Sequence, residues 1–159
     1  MIRIHRQLTG ARVPRSLLAE VLEDALNQEG PDRAAAVDLL VTDDRGIARF
    51  NRRHTGRRGA TDVLAFPDGE PEAESGLLHL GDVIISLQTA RREAARRGCP
   101  MREELALYAV HGLLHLLGYD DHIDSRRAAM RAAEHRALAR HGIRPHWDKD
   151  PRGERRPRA

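Results

Sequence analysis

The sequence predicts an α/β fold: a mixed sheet of about four strands covered by about five helices. Three observations carry this expectation. Short apolar or alternating runs are interleaved with longer runs at helical spacing, the pattern of strands separated by crossover helices. Glycine and proline punctuate the chain at nearly every change of pattern, as at Gly30-Pro31-Asp32 and Gly98-Cys99-Pro100. At 159 residues, with aromatic residues only 3% of the chain, the core must be one and must be filled by Leu, Val, Ile and Ala.

The elements follow in order. Met1 to Gln7 sets Ile2 and Ile4 against Arg3, His5 and Arg6, a short strand. Pro14 opens an amphipathic helix to about Asn27, with Leu17, Leu18, Val21, Leu22 and Leu26 on one stripe. Ala35 to Val41 reads as a strand that ends at the cap-forming Thr42-Asp43-Asp44, and a short helix runs from Asp44 to about His54. A Gly/Arg loop covers Thr55 to Ala60. Val63 to Phe66 is a strand expected to stop at Pro67, and Asp68 to Gly76 reads as an acidic, flexible loop. Leu80 or Gly81 to Ser86 is a buried strand. Leu87 to Gly98 is a charged helix, and Pro100 to Leu117 is a core helix. Asp124 is expected to cap a last helix, Ser125 to about His141, which Gly142-Ile-Arg-Pro145 ends. There are no internal repeats. Residues 1–143 form one domain, and 144–159 read as a basic, disordered tail.

Composition excludes several classes. No run of about 18 apolar residues exists, so no membrane span is expected, and the N-terminus lacks the apolar stretch of a secretion signal. A single cysteine, Cys99, rules out an internal disulfide, and a cytoplasmic location is expected. The net charge of +3 arises in the tail, where Arg144, Lys149, Arg152, Arg155, Arg156 and Arg158 outnumber Asp148, Asp150 and Glu154. The rest of the chain is balanced. Its one basic concentration is Arg45, Arg49, Arg52, Arg53, Arg57 and Arg58, opposed nearby only by Asp43 and Asp44. That cluster is either a solvated helix face or a phosphate contact. Trp147 with the basic tail offers a further, weaker RNA-stacking element.

The chemistry concentrates in HGLLHLLGYDDH, His111 to His122. Residues four apart share a helix face, roughly 6 Å apart, so His111 and His115 can share one metal ion. Gly118 can end the helix and turn the chain, bringing His122 round as a third ligand. Asp120 and Asp121 stand ready to orient the imidazoles. Three imidazoles with one open position describe catalytic zinc, one per chain, better than a closed structural site. The His-x-x-x-His spacing makes this helix zincin-like. Zinc peptidases place a general-base Glu directly after the first His, and here that position is Gly112. A hydrolase acting on another substrate gains ground. His54, His79, His135, His141 and His146 carry no ligand spacing, and Asp62 and Asp82 read as local turn residues.

The same residues resemble the YbeY endoribonuclease family, whose metal signature reads His-Gly-x-x-His-Leu-x-Gly-Tyr-Asp-His. Thr61-Asp-Val-Leu-Ala-Phe-Pro67 and Leu80-Gly-Asp-Val-Ile-Ile-Ser86 are similar to two further family strands, in the family's order. The resemblance spans roughly residues 35 to 140. It implies a mixed sheet with surrounding helices, and a zinc-dependent, single-strand-specific endoribonuclease. It also implies a role in ribosomal RNA maturation at the 3′ end of the small-subunit RNA, ribosome quality control, and single-stranded RNA, the ribosome or small-subunit proteins as partners. It places Asp82 at the border of the site. The sequence departs from the family in two places. Asp121 occupies the family's third-histidine position, with His122 one further on. His122 is the expected ligand and Asp121 the alternative. The family's Asn-x-x-Tyr-Arg-Gly segment reads Asn51-Arg-Arg-His-Thr-Gly56, with Thr55 where a catalytic Arg is expected. Arg57 and Arg53 are the candidates to take that role. The competing readings are a small zinc peptidase or amidase and a non-catalytic ribosome-associated protein.

Overall fold

The computed structural model describes residues 1–149. Four strands and six helices follow in the order β1 (Ile2–Gln7), α1 (Arg15–Glu29), β2 (Ala35–Thr42), α2 (Asp44–Thr55), β3 (Val63–Pro71), β4 (Leu78–Ser86), α3 (Leu87–Arg97), α4 (Met101–Leu116), α5 (Asp124–Ala139) and α6 (His146–Lys149). The sheet order is β1-β2-β4-β3. β1 and β4 each pair parallel with β2, and β3 pairs antiparallel with β4. The α/β class, the mixed four-stranded sheet and the five longer helices agree with the sequence reading.

Burial explains the strand sequences. β2 and β4 are interior strands, covered by helices on one face and by α2 over part of the other, so they read as nearly continuous apolar runs. Alternation then sorts their side chains. Val37, Leu39, Val41, Val63, Val83 and Ile85 join α1, α4 and α5 in the main core. Leu40, Leu64, Phe66 and Ile84 face the other way and pack with Ile47 and Phe50 of α2. β3 is an edge strand, which is why it runs through Pro67 to Pro71 instead of stopping at Pro67. An edge strand tolerates a residue with no N–H to donate, and the register shifts between Pro67 and Glu70. The expected loop thus shrinks to the turn between Glu72 and Leu77, closed by the Glu72 N–H on the Leu77 carbonyl at 2.8 Å.

Caps fix where helices begin and end. The Asp43 carboxylate accepts from the Gly46 N–H at 2.7 Å and starts α2. α5 begins one residue earlier than expected: Ile123 is its cap, without a side-chain bond, and Asp124 lies in the first turn. α4 is buried from Glu104 to Leu114 on every side, enclosed by α1, α3, α5 and the sheet. A helix so enclosed is apolar all round, so its functional residues stand out only by type. Beyond α5 the chain remains folded as far as α6, where Trp147 and His146 contact the body. The boundary expected at residue 143 therefore cuts through packed structure. The remainder of the expected tail, residues 150–159, lies outside the described residues. No helix among the described residues is long and apolar enough to cross a membrane.

Candidate metal centre

The last two turns of α4 carry His111, 4% exposed, and His115, whose side chain is 26% exposed. Their Nε2 atoms are 3.0 Å apart, with the rings near perpendicular at 81°. The partners of the other ring nitrogens fix the tautomers. His115 Nδ1 lies 3.1 Å from the Tyr119 carbonyl, which can only accept, so Nδ1 holds the proton. His111 Nδ1 lies 2.6 Å from Glu134 Oε1 and donates to that carboxylate. Both Nε2 lone pairs then face the same small volume, the arrangement of two ligands that share one cation. Burial, reinforced by the neighbouring His111, pushes the His115 pKa down and keeps it in the neutral form a ligand needs.

The chain returns to this pair through the turn at Gly118. The Gly118 N–H bonds the His115 carbonyl at 3.0 Å, the Tyr119 N–H bonds the Leu114 carbonyl at 2.9 Å, and Gly118 has φ +92°. This is a Schellman end, which needs a left-handed residue at its pivot. The Tyr119 hydroxyl is tied to Glu29 of α1 at 2.6 Å, and Arg136 of α5 grips the same carboxylate at 2.7 Å. These bonds hold Glu29 below the ordinary carboxylate range despite its desolvation. The tether fixes the Tyr119 carbonyl that orients His115.

The residue the turn delivers is Asp121. Its Oδ2 lies 3.8 Å from His111 Nε2 and its Oδ1 3.9 Å from His115 Nε2. His111, His115 and Asp121 each offer a ligand atom within 4.8 Å of the others. Two ~2.0–2.1 Å bonds at a tetrahedral angle separate their donors by about 3.3 Å, so the set fits a metal ion with shifts of about half an ångström. His122, the residue expected from the sequence, is not grouped with the two histidines: its side chain is 78% exposed, its Nε2 is 3.8 Å from Asp120, and its ligand atom groups with Asp120 and Asp121. The physical reason is the turn itself. Asp120 Oδ1 accepts the His122 N–H at 2.9 Å, closing a local loop that holds His122 on the outside. That bond, with Arg126 beside it, lowers the Asp120 pKa.

Glu134 was not legible as a site residue. It is 2% exposed on α5, among Met130, Ala133 and Ala137 of that helix's buried stripe. A carboxylate on an apolar stripe is the signal that could have singled it out. Its bond to His111 Nδ1 is the carboxylate–histidine pairing that fixes ring direction and raises ligand basicity.

Gly112 also gains a reason. A Cβ there would lie 2.4 Å from Val83 Cγ1 and 3.1 Å from Val63 Cγ2, because α4 lies directly on the sheet. The position where a zinc peptidase holds its base has no room here for any side chain. Asp82, which the resemblance placed at the border of the site, does not reach it. It lies on the sheet face away from α4, grouped with Asp38 and His79. Asp62 caps the start of β3 by accepting the Val63 N–H at 2.8 Å.

Thr55 closes the end of α2. Its hydroxyl donates to the Asn51 carbonyl at 2.7 Å and accepts from the Arg57 N–H at 3.2 Å. Among the described residues, Arg45, Arg49, Arg52, Arg53, Arg57 and Arg58 are all exposed and none has a side-chain hydrogen bond or ion pair. The two acids expected to oppose them are engaged elsewhere. Asp43 caps α2, and Asp44 binds Arg92, Ser86 and Thr89. The structure does not bring Arg53 or Arg57 into any bond with the histidine pair.

Fold and site together define a small α/β protein with a His-His-Asp candidate metal centre where its core helix ends. The family model described as Endoribonuclease YbeY matches residues 5–142. A relative of that name from Pelotomaculum thermopropionicum is 41% identical over 143 residues, covering 87% of this chain and 90% of its own length. Another, from Thermus thermophilus, is 39% identical over 128 residues, covering 80% and 88%. The solution structure of TM1509 from Thermotoga maritima matches 98% of this chain and 100% of that one, with TM-score 0.60 and 25% identity. The chain belongs to the YbeY endoribonuclease family.

Proposed function

We propose that this protein is a metal-dependent endoribonuclease that cuts single-stranded RNA. His111, His115 and Asp121 hold one zinc ion, and the exposed arginines of α2 and its following loop hold the phosphate backbone. The observation that supports this most is the pair of imidazole lone pairs facing each other at 3.0 Å beside a carboxylate. Zinc bound there supplies a Lewis acid for a phosphoryl oxygen and acidifies water at neutral pH. The protein's own groups do the rest. Glu134 and the Tyr119 carbonyl hold the two Nδ1 protons, so both rings present their Nε2 atoms. The unpaired guanidiniums, Arg53 and Arg57 foremost, take phosphate oxygens in bidentate fashion without first breaking an internal ion pair. Maturation of ribosomal RNA at the small-subunit 3′ end, ribosome association and a cytoplasmic setting complete the reading, through the family. A peptidase reading finds no support at Gly112, where the sheet excludes a base.

The test is cleavage of short unstructured RNAs and of an unstructured protein, each with chelator and after zinc is restored. Zinc-dependent RNA cleavage with the protein left intact is expected. Protein cleavage without RNA cleavage would favour the peptidase. Ribosome binding that survives His111→Ala, with no cleavage of either substrate, would favour a non-catalytic role.

A further inference from the structure

We propose that Trp147, at the far end of the described chain, is a positioning residue of the metal centre. Its indole fixes the carboxylate that fixes His111. The inference rests on His111 being a metal ligand.

The geometry runs through Glu134. Its Oε1 takes the His111 Nδ1 proton at 2.6 Å, and its Oε2 takes the Trp147 Nε1 proton at 2.9 Å. One carboxylate thus joins α4 to α6, and its two oxygens are committed to different elements. A carboxylate held at one oxygen can still swing about its last torsion, whose well is broad. Held at both, it presents a fixed acceptor to the imidazole. The indole is itself fixed. The Arg131 guanidinium, three residues before Glu134 on α5, stands 5.4 Å from its ring centroid, and His146 lies 3.6 Å from Glu104 of α4. The short α6 is therefore seated on both helices that carry the centre. An indole N–H can donate but never accept, so it cannot compete with His111 for the role of acceptor. The segment that reads in sequence as the start of a disordered tail completes the support of a ligand on the core helix.

Trp147 is the only tryptophan in the chain, so tryptophan emission reports on the surroundings of this one indole. Zinc affinity of the full chain is to be measured by competition with a chromophoric chelator in wild type, Trp147→Phe, Glu134→Gln and the double variant. Trp147→Phe keeps an aromatic ring and removes the N–H. It is expected to weaken zinc binding about 10-fold, the lower end of what an outer hydrogen-bond partner contributes. In the Glu134→Gln background it is expected to add nothing, because it acts through that carboxylate. Wild-type affinity in Trp147→Phe, or an equal loss in both backgrounds, would overturn the proposal and leave Trp147 a packing residue. In the unmodified protein, tryptophan emission is expected to change and saturate at one equivalent of zinc. Zinc binding with no change in emission would also overturn it. Full zinc binding by His111→Ala is a separate outcome, which defeats the metal-centre reading itself.

Discussion

At the scale of single residues, the site is decided by which atoms have room and which have partners. A methyl group at position 112 would meet Val83 Cγ1 at 2.4 Å. Gly112→Ala is therefore expected to destabilise the fold by about 1–3 kcal/mol through overpacking. For a chain of this size each kcal/mol lowers Tm by roughly 2–4 °C, so a thermal melt checks it. An unchanged melt would show that α4 can lift off the sheet without cost. Asp121 and His122 are neighbours with opposite fates, and no property of either residue alone announces which turns inward. Sequence spacing placed His111 and His115 together, because a helix fixes the geometry of residues four apart. It did not resolve which residue lies beside them after the turn, because that depends on the Gly118 pivot and on Asp120 closing its own turn. Glu134 was hidden for a related reason: its partner His111 lies on another helix, and no spacing rule links them.

At the scale of elements, the turn after α4 and the helix α2 each carry a prediction. Gly118 pivots at φ +92°, a conformation that costs a residue with a side chain roughly 1–2 kcal/mol. Gly118→Ala is expected to lower stability by about that amount and to weaken zinc binding, since the same turn delivers Asp121 to the histidines. Loss of stability with zinc affinity intact would uncouple the turn from the site. On α2 and the loop after it, six exposed arginines have no partner among the described residues. Each backbone contact to a single strand contributes a slope of about −0.7 to log K against log salt. The double change Arg53→Ala/Arg57→Ala is expected to flatten that slope by about 1.4 if both side chains bind phosphate, whatever the RNA sequence. An unchanged slope would return α2 to a solvated face. The element boundaries were legible where glycine, proline or the Asp43 cap marks them. They were misread at β3, because edge-strand status, which permits Pro67 and Pro71, is a property of the assembled sheet.

At the scale of the whole molecule, the α/β order was readable because alternating strand and helix patterns leave few ways to bury one core. The polar face of the sheet was not readable, since it gathers residues from every strand. There His79 of β4 lies between Asp68 of β3 at 2.7 Å and Asp38 of β2 at 3.1 Å. Arg3 and His5 of β1 bind the same Asp38, Arg3 also grips Glu72, and Asp82 stands beside them. The Asp68 hydrogen bond, followed by that of Asp38, raises the His79 pKa above its ordinary 6.5. A histidine with a raised folded pKa gives stability that is full below its unfolded value and is lost as pH rises through the folded one. Glu72, brought down to about 2 chiefly by Arg3, behaves oppositely, and its share is lost as pH falls below about 4.5. Metal-free protein is expected to lose stability from about pH 6.5 upward, and His79→Gln is expected to lose less over that range. Parallel pH–stability curves for the two proteins would show that the His79 contact contributes nothing.

Two imidazoles and one carboxylate are proposed to meet around a single ion. Zinc retained per chain after gel filtration, measured in wild type, His111→Ala, Asp121→Ala and His122→Ala, tests this most directly. About one equivalent is expected in wild type and His122→Ala, with none in His111→Ala and a large loss in Asp121→Ala. A full equivalent retained by His111→Ala, or a greater loss from His122→Ala than from Asp121→Ala, would contradict it.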